Sequence, residues 1–458
     1  MLDSHKKRIF SFITVFSILF LVPVLFSACS LDLLIDQDAV TVPGDNTETR
    51  FAWLAENAKS YGKYIVEIDG KYTFNLPSQI FDNLTHTTIH IKGTVPIAEI
   101  ELYTGSAPQL FDDACKGPMF WVRKNTTLII ENVILHGHEK SDNSLIRVDT
   151  GGVLIMNTGA AIIGNNTALT SAGGGVFVNG GTFIMNDGEI RGCGGAFGAG
   201  VYVGNGGSFT MKGGTIKTNN AKPSAGIENS GGGVYVANSI FTMDGGTIED
   251  NWAQYGGGVM VTNSSVFTMN NGVIKNNANP NSDAGGGGVM VKNSAVFTMN
   301  NGEISYNESP LIGFSGTGYG GGVNVESAVF NMNGGTIKAN EAYMGGGVYI
   351  NENGTMKKTG GLITGAEKNI VSGEVSYFLI PDSNTAKEGE ISGSPGEYFP
   401  FMGGHALYCY YHTNGVSATI YRNSGINSNT SFLLNPQTVL NGDFNNEDDG
   451  WEVFATID

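Results

Sequence analysis

The stretch Gly231-Gly232-Gly233-Val234-Tyr235-Val236-Ala237-Asn238-Ser239-Ile240-Phe241-Thr242-Met243-Asp244-Gly245-Gly246-Thr247-Ile248-Glu249-Asp250-Asn251 decides the fold. It contains three short alternating pieces and none of the apolar spacing of a helix. In Val234-Tyr235-Val236 the two valines share one face and Tyr235 the other. In Phe241-Thr242-Met243 the Phe and Met likewise point one way and Thr242 the other. With Ile248, each such unit turns five apolar side chains inward.

The unit recurs. Gly-Gly-Gly-Val places its valine at 176, 234, 259, 289, 323 and 348, and Gly198-Ala199-Gly200-Val201 supplies a seventh member. The valines are 25, 33, 25, 30, 34 and 25 residues apart, yet Phe183, Phe209, Phe241, Phe267, Phe297 and Phe330 each precede an isoleucine by seven residues. Those partners are Ile190, Ile216, Ile248, Ile274, Ile304 and Ile337. Phe follows Val by seven or eight residues, and insertions fall only between the Ile and the next glycine run, as in 222–230 or 310–319, so the variable piece is a surface loop. Weaker copies extend the array through 120–134, 146–162 and 348–363, giving roughly nine units. One unit buries too little to repay the ordering of its own backbone, so the units must stack. The sequence therefore predicts an all-β, single-stranded parallel β-helix, right-handed by the crossover rule, with caps at both ends.

Three residues after each Ile stand Asn219, Asn251, Asn277, Asn307 and Asn340, with Cys193 replacing the Asn once. Stacked coils would align these side chains into an amide column at an inward corner. Alternatively, each Asn only marks a turn. Both readings are structural.

Composition excludes the other classes. With 67 glycines in 458 residues long helices are ruled out, and 41% hydrophobic residues, including 25 Phe and 17 Tyr, are too many for a disordered polymer. The chain is acidic, at −17, which argues against nucleic acid as a partner.

The repeated Gly-Gly-Gly-Val-Tyr-Val, Phe-Thr-Met-Asn-Gly-Gly-Thr-Ile and Asn-Asn-x-Ala pattern resembles the right-handed parallel β-helix repeats of pectate-lyase-like bacterial surface lipoproteins, over residues 120–365. Gly404-His405-Ala406-Leu407-Tyr408, Arg422-Asn423 and Trp451-Glu452 resemble the last coil and C-terminal closure of such proteins. The resemblance speaks to architecture far more than to activity, because the fold hosts lyases, hydrolases, adhesins and inert stalks.

The N-terminus carries Lys6, Lys7 and Arg8 before an apolar run over 9–26 that ends in Phe26-Ser27-Ala28-Cys29. This reads as a signal peptide, with a membrane-spanning anchor as the alternative. It resembles a bacterial lipoprotein signal, which implies acylation of Cys29 as the first mature residue; Phe26 stands where Leu is usual. Cleavage there would leave 22 basic and 41 acidic residues, a net charge of 22 − 41 = −19. The expected location is the outer membrane or cell surface, the membrane partner being the lipid on Cys29. Cys115, Cys193 and Cys409 are too scattered for a disulfide framework and read as buried free thiols.

The expected divisions are a signal peptide over 1–28, a flexible tether over 29–48, an N-terminal cap with the first coils over 49–119, the glycine-rich coils over 120–365, and a C-terminal coil and cap over 366–458. Phe51, Leu54, Ala55 and Ala58 predict a lid helix near 49–60, and 64–68 the first strand.

Chemistry is sparse. A lyase of this fold needs carboxylates gathered for Ca²⁺ beside an Arg or Lys base, whereas Asp187 and Asp244 sit two coils apart, about 10 Å. His136 with His138, and His86 with His90, offer pairs at strand spacing that read as surface residues for want of a third ligand. No catalytic set, metal site or cofactor is predicted, with Ca²⁺ the one cation left open. The remaining signal is an outward row of Trp121, Phe177, Tyr202, Tyr235 and Tyr349, interrupted by Arg147, Met260, Met290 and Asn324. Aromatic side chains on a wet face suggest a glycan or protein ligand; the rings could equally pack on neighbouring coils or under inserted loops. The expectation is a monomeric, non-catalytic surface β-helix of structural or adhesive role, the alternative a polysaccharide lyase or glycoside hydrolase.

Overall fold

The computed structural model describes residues 38–74, 81–102, 117–167, 173–222, 228–279, 284–309, 318–342, 345–350 and 353–364, with the backbone of isolated strands beyond. The chain divides into a unit Met1–Val40, of which only 38–40 are described, and a unit Thr41–Asp458. The second unit is a parallel β-helix of three long sheets with 15, 11 and 10 strands. We name them the Phe, Ile and Val sheets after their inward residues.

From Phe120 to Ile363 each coil contributes one short strand to each sheet because its apolar residues alternate for only a few positions before a turn. In one coil these strands are Val234–Ala237, Ile240–Met243 and Thr247–Glu249. The next coil repeats them at Val259–Thr262, Val266–Met269 and Val273–Lys275, residue on residue: Phe241 pairs with Phe267, Ile248 with Ile274 and Val234 with Val259. The constant spacing of seven between Phe and Ile is thus the fixed path around one corner.

Stacking makes the core continuous. Phe183, Phe209, Phe241, Phe267, Phe297 and Phe330 are all fully buried and form one file. Successive ring centroids are 4.6 to 4.8 Å apart and the planes within 8° of parallel. That spacing is the distance between hydrogen-bonded strands, so the backbone ladder and the ring stack share one repeat. The glycine runs serve the same closeness. A Cβ on Gly233 would lie 2.7 Å from the carbonyl oxygen of Gly258 in the next coil.

At the N-terminal end, helix α1 (Thr47–Asn57) is capped by Asn46, whose side chain accepts from the Thr49 N–H, and buries Phe51 and Leu54. Ala55, predicted to face inward, is exposed, and Trp53 packs on the core in its place. The segment read as a tether is structured in its last part. Val40–Thr41 is a strand, Val42 is buried and its N–H donates to Ile65, and Asn46 is the cap. Two coils, beginning at Lys63–Ile68 and Thr87–Gly93, precede the copies legible in the sequence.

At the other end, Leu407–Cys409 pairs in parallel with Val348–Ile350, adding a last strand to the Val sheet. The Phe sheet instead changes sense: Gly450–Ala455 lies antiparallel on Thr355–Lys358, and Ala418–Asn423 antiparallel on that. The unpaired edge of the last coil is covered by these strands. Cys29, the 9–26 run and the 310–317 insertion lie outside the described residues. Among those described, no helix is long and apolar enough to cross a membrane.

Candidate ligand-binding face

The outward row of the Val sheet is one file in register: Trp121, Arg147, Phe177, Tyr202, Tyr235, Met260, Met290, Asn324, Tyr349. Its two halves differ. Trp121 through Tyr235 are half-buried, whereas Met260, Met290, Asn324 and Tyr349 are at most 4% exposed. Tyr349 therefore does not belong to a ligand face, contrary to the sequence expectation. At Asn324 and Tyr349 the cause is the chain before the Gly286 and Gly320 turns, which lies over the row. Ala284–Gly285 pairs with Gly318–Tyr319 to make a narrow ladder there. The Tyr319 ring lies 4.6 Å from Tyr349, and a Cβ on Gly345 would stand 2.9 Å from that of Tyr349.

The open half is a strip of touching rings and guanidinium groups. Tyr202 and Tyr235 stack at 5.1 Å, Phe177 meets Tyr202 edge-on at 5.1 Å, and Phe197 closes on Tyr235 at 5.3 Å. Arg147 follows Phe177, its guanidinium carbon 5.4 Å from the Phe177 centroid and 5.0 Å from that of Trp121. Arg123 sits over the same indole at 3.9 Å and pairs with Asp82 at 2.7 Å. Gly204 makes room for Tyr202: a Cβ there would meet the ring at 2.5 Å.

Asp149, two residues beyond Arg147, organises the polar side. Its Oδ2 accepts from Trp121 Nε1 at 2.6 Å; its Oδ1 accepts from Arg147 Nε at 2.8 Å and from Asn179 Nδ2 at 2.7 Å. Asn205 Nδ2 donates on to Asn179 Oδ1. Burial opposes ionisation of Asp149, but the hydrogen bonds from Asn179, Trp121 and Arg147 together hold its carboxyl below the usual range. Burial pushes the Tyr235 hydroxyl up to about 12, helped by Tyr202 and Glu228.

The histidines are not surface pairs. His90 and His138 are both buried. His136 is the last residue of its strand and points Nε2 toward Glu99 at 3.5 Å, while His138 lies past the corner and its Nδ1 accepts the Lys140 N–H. His86 stacks on Tyr61 in a turn, and His90 faces Glu131 at 3.2 Å from the strand that follows. Burial pushes the His90 imidazole down despite Glu131. Among the described residues no group of three or more His, Cys, Asp and Glu is placed to hold a metal ion.

The Asn side chains form a hydrogen-bonded column. Asn219 Nδ2 donates to Asn251 Oδ1, Asn251 to Asn277, Asn277 to Asn307 and Asn307 to Asn340, at 2.9 to 3.0 Å. Each of these amides from Asn219 to Asn340 also donates to the isoleucine carbonyl of the coil before. The column reaches further back than the sequence reading took it. Asn165 Oδ1 accepts the His138 N–H, and the Ile-plus-three offset from Ile162 was the signal for it. Arg147 and Asp149 were also missed, because Arg147 read as a break in the aromatic row rather than as part of it. No family model, curated protein or solved structure matches the chain.

Proposed function

We propose that this chain is a non-catalytic, cell-surface β-helix lipoprotein of the pectate-lyase-like type, exported, lipid-anchored at Cys29 and binding a host or glycan ligand through the open half of the Val-sheet face. The observation that carries the reading is the half-buried strip from Trp121 to Tyr235, five successive positions of one register file without an acid among them. Rings held edge to face on a rigid sheet offer apolar surface at little entropic cost, and the nearby Asn179 and Asn205 amides supply hydrogen bonds beside them. The lipid anchor rests on the charged, apolar and Ser27-Ala28-Cys29 sequence of the N-terminus.

The test is a glycan array and a cell-binding assay on residues 30–458, with and without Ca²⁺. Tyr202→Ser and Tyr235→Ser together should abolish retention while leaving circular dichroism unchanged. Retention unaffected by the double substitution would refute the face. Release of unsaturated or reducing sugar from a polysaccharide panel would replace it with the lyase or hydrolase reading.

A further inference from the structure

We infer that Arg147 is the anchor of a carboxylate subsite, fitted to a glycan that ends in a single acidic sugar. The inference rests on the ligand-face reading and names the chemistry of the ligand. Arg147 is held by Nε alone, which donates to Asp149 Oδ1 at 2.8 Å; neither Nη has a protein partner among the described residues. Asp149 engages the guanidinium through Nε only, its oxygens accepting also from Trp121 and Asn179. The guanidinium is flanked by the Trp121 and Phe177 rings, at 5.0 and 5.4 Å, and its side chain keeps 29% of its surface exposed.

This is a fork fixed in orientation before any ligand arrives. A planar guanidinium with both terminal nitrogens open pairs with a carboxylate through two parallel charge-assisted hydrogen bonds. Because Asp149 and the rings already restrain it, little side-chain freedom is lost on binding. From the fork the strip of rings runs through Phe177 and Tyr202 to Tyr235 in steps of 5.1 Å. An extended apolar strip beside one cationic fork matches a chain of sugar rings with an acid at its end.

Electrostatics selects one carboxylate over many. The chain carries a net charge of −17, so a polyanion is repelled along its length, whereas one acid meets the fork at contact and feels the distant charges only through screening solvent. Arg123, the second cation at the Trp121 ring, differs in that a terminal nitrogen is the one paired with Asp82, so its fork is not open at both ends, whereas Arg147 pairs with Asp149 through Nε.

The experiment is calorimetric titration of the full chain with 3′-sialyllactose, lactose, polygalacturonate, and a short peptide with a free or amidated C-terminus. The acidic trisaccharide is expected to bind at least about tenfold tighter than lactose. Arg147→Lys keeps the charge and loses the fork, and should erase most of the acidic trisaccharide's advantage over lactose, read as the ratio of the two affinities in the one variant. Equal binding of the two sugars, both weakened by Tyr202→Ser, would overturn the subsite and leave the ligand face standing. Preference for polygalacturonate, or binding only of the free-carboxylate peptide, would overturn the single-acid glycan. Binding of none of the probes would overturn both the subsite and the face as a glycan site.

Discussion

At the scale of single residues the amide column shows how a buried polar group becomes a structural asset. In Asn277 the Oδ1 accepts from the N–H and Nδ2 of Asn251, while its own Nδ2 donates to Ile248, Lys275 and Asn307. Asn277→Ala would take the acceptor from the buried Asn251 N–H and cut the amide column, although Asn251 Nδ2 keeps the Ile216 carbonyl and Asn307 Oδ1 keeps the backbone N–H of residue 277. The expected cost is about 2–3 kcal/mol, read from denaturant unfolding. Cys193 is the one gap between Asn165 and Asn219: its N–H donates to Asn219 Oδ1, but a thiol cannot supply the amide donor. Cys193→Asn should therefore stabilise the chain by about 1 kcal/mol, and an unchanged or lower midpoint would count against the column. Burial also pushes the Cys193 thiol up to about 11 from its ordinary 9. An acid with a raised folded-state value favours folding fully below 9 and loses that contribution as pH rises through 11. In the folded protein this thiol should stay unreactive toward a disulfide reagent at pH 8.5 and react on unfolding.

At the scale of elements, what was legible in the sequence was what repeats. The seven-residue offset from Phe to Ile and the Gly-Gly-Gly-Val runs give three strands per coil, their inward faces and their register. That inserted chain could cover rings of the row was legible, but not that Tyr349 is the one covered while Tyr202 and Tyr235 stay half-buried. The covering depends on Gly318–Tyr319 and the chain around them, which belong to the variable stretch whose length and sequence change from coil to coil. The same limit left the first coils without a register: they were expected within 49–119, but Ile89 and Ile91 are buried there without a glycine run or a Phe to align them with later copies. The Arg147 and Asp149 pair escaped for a related reason. Two charged residues at outward positions of a strand look like ordinary solvated surface until Trp121 and Asn179 are placed beside them. Packing sets the energetics of the Phe sheet. Phe267 is stacked on Phe241 and Phe297 at 4.6 Å on either side, and Phe267→Ala opens a cavity in the middle of the file. An expected loss of about 3–5 kcal/mol in equilibrium unfolding follows; a loss under 1 kcal/mol would mean that the file is not closely packed.

For the molecule as a whole, the central claim is that successive copies stack as neighbouring turns of one winding chain, each shielding the apolar lining of the next. Stability is then a sum over contacts between adjacent coils, and every distance along the array is a multiple of the strand spacing. Thr182 and Val329 occupy the same outward position of the Phe sheet, five steps apart through Ser208, Ile240, Val266 and Val296. Nitroxide labels at those two sites, read by pulsed electron double resonance, measure the stacking directly. A narrow distribution centred near about 24 Å, five times the inter-strand spacing, is the expected result. A broad distribution, or one centred beyond about 40 Å, would mean separate globular units and would contradict the fold.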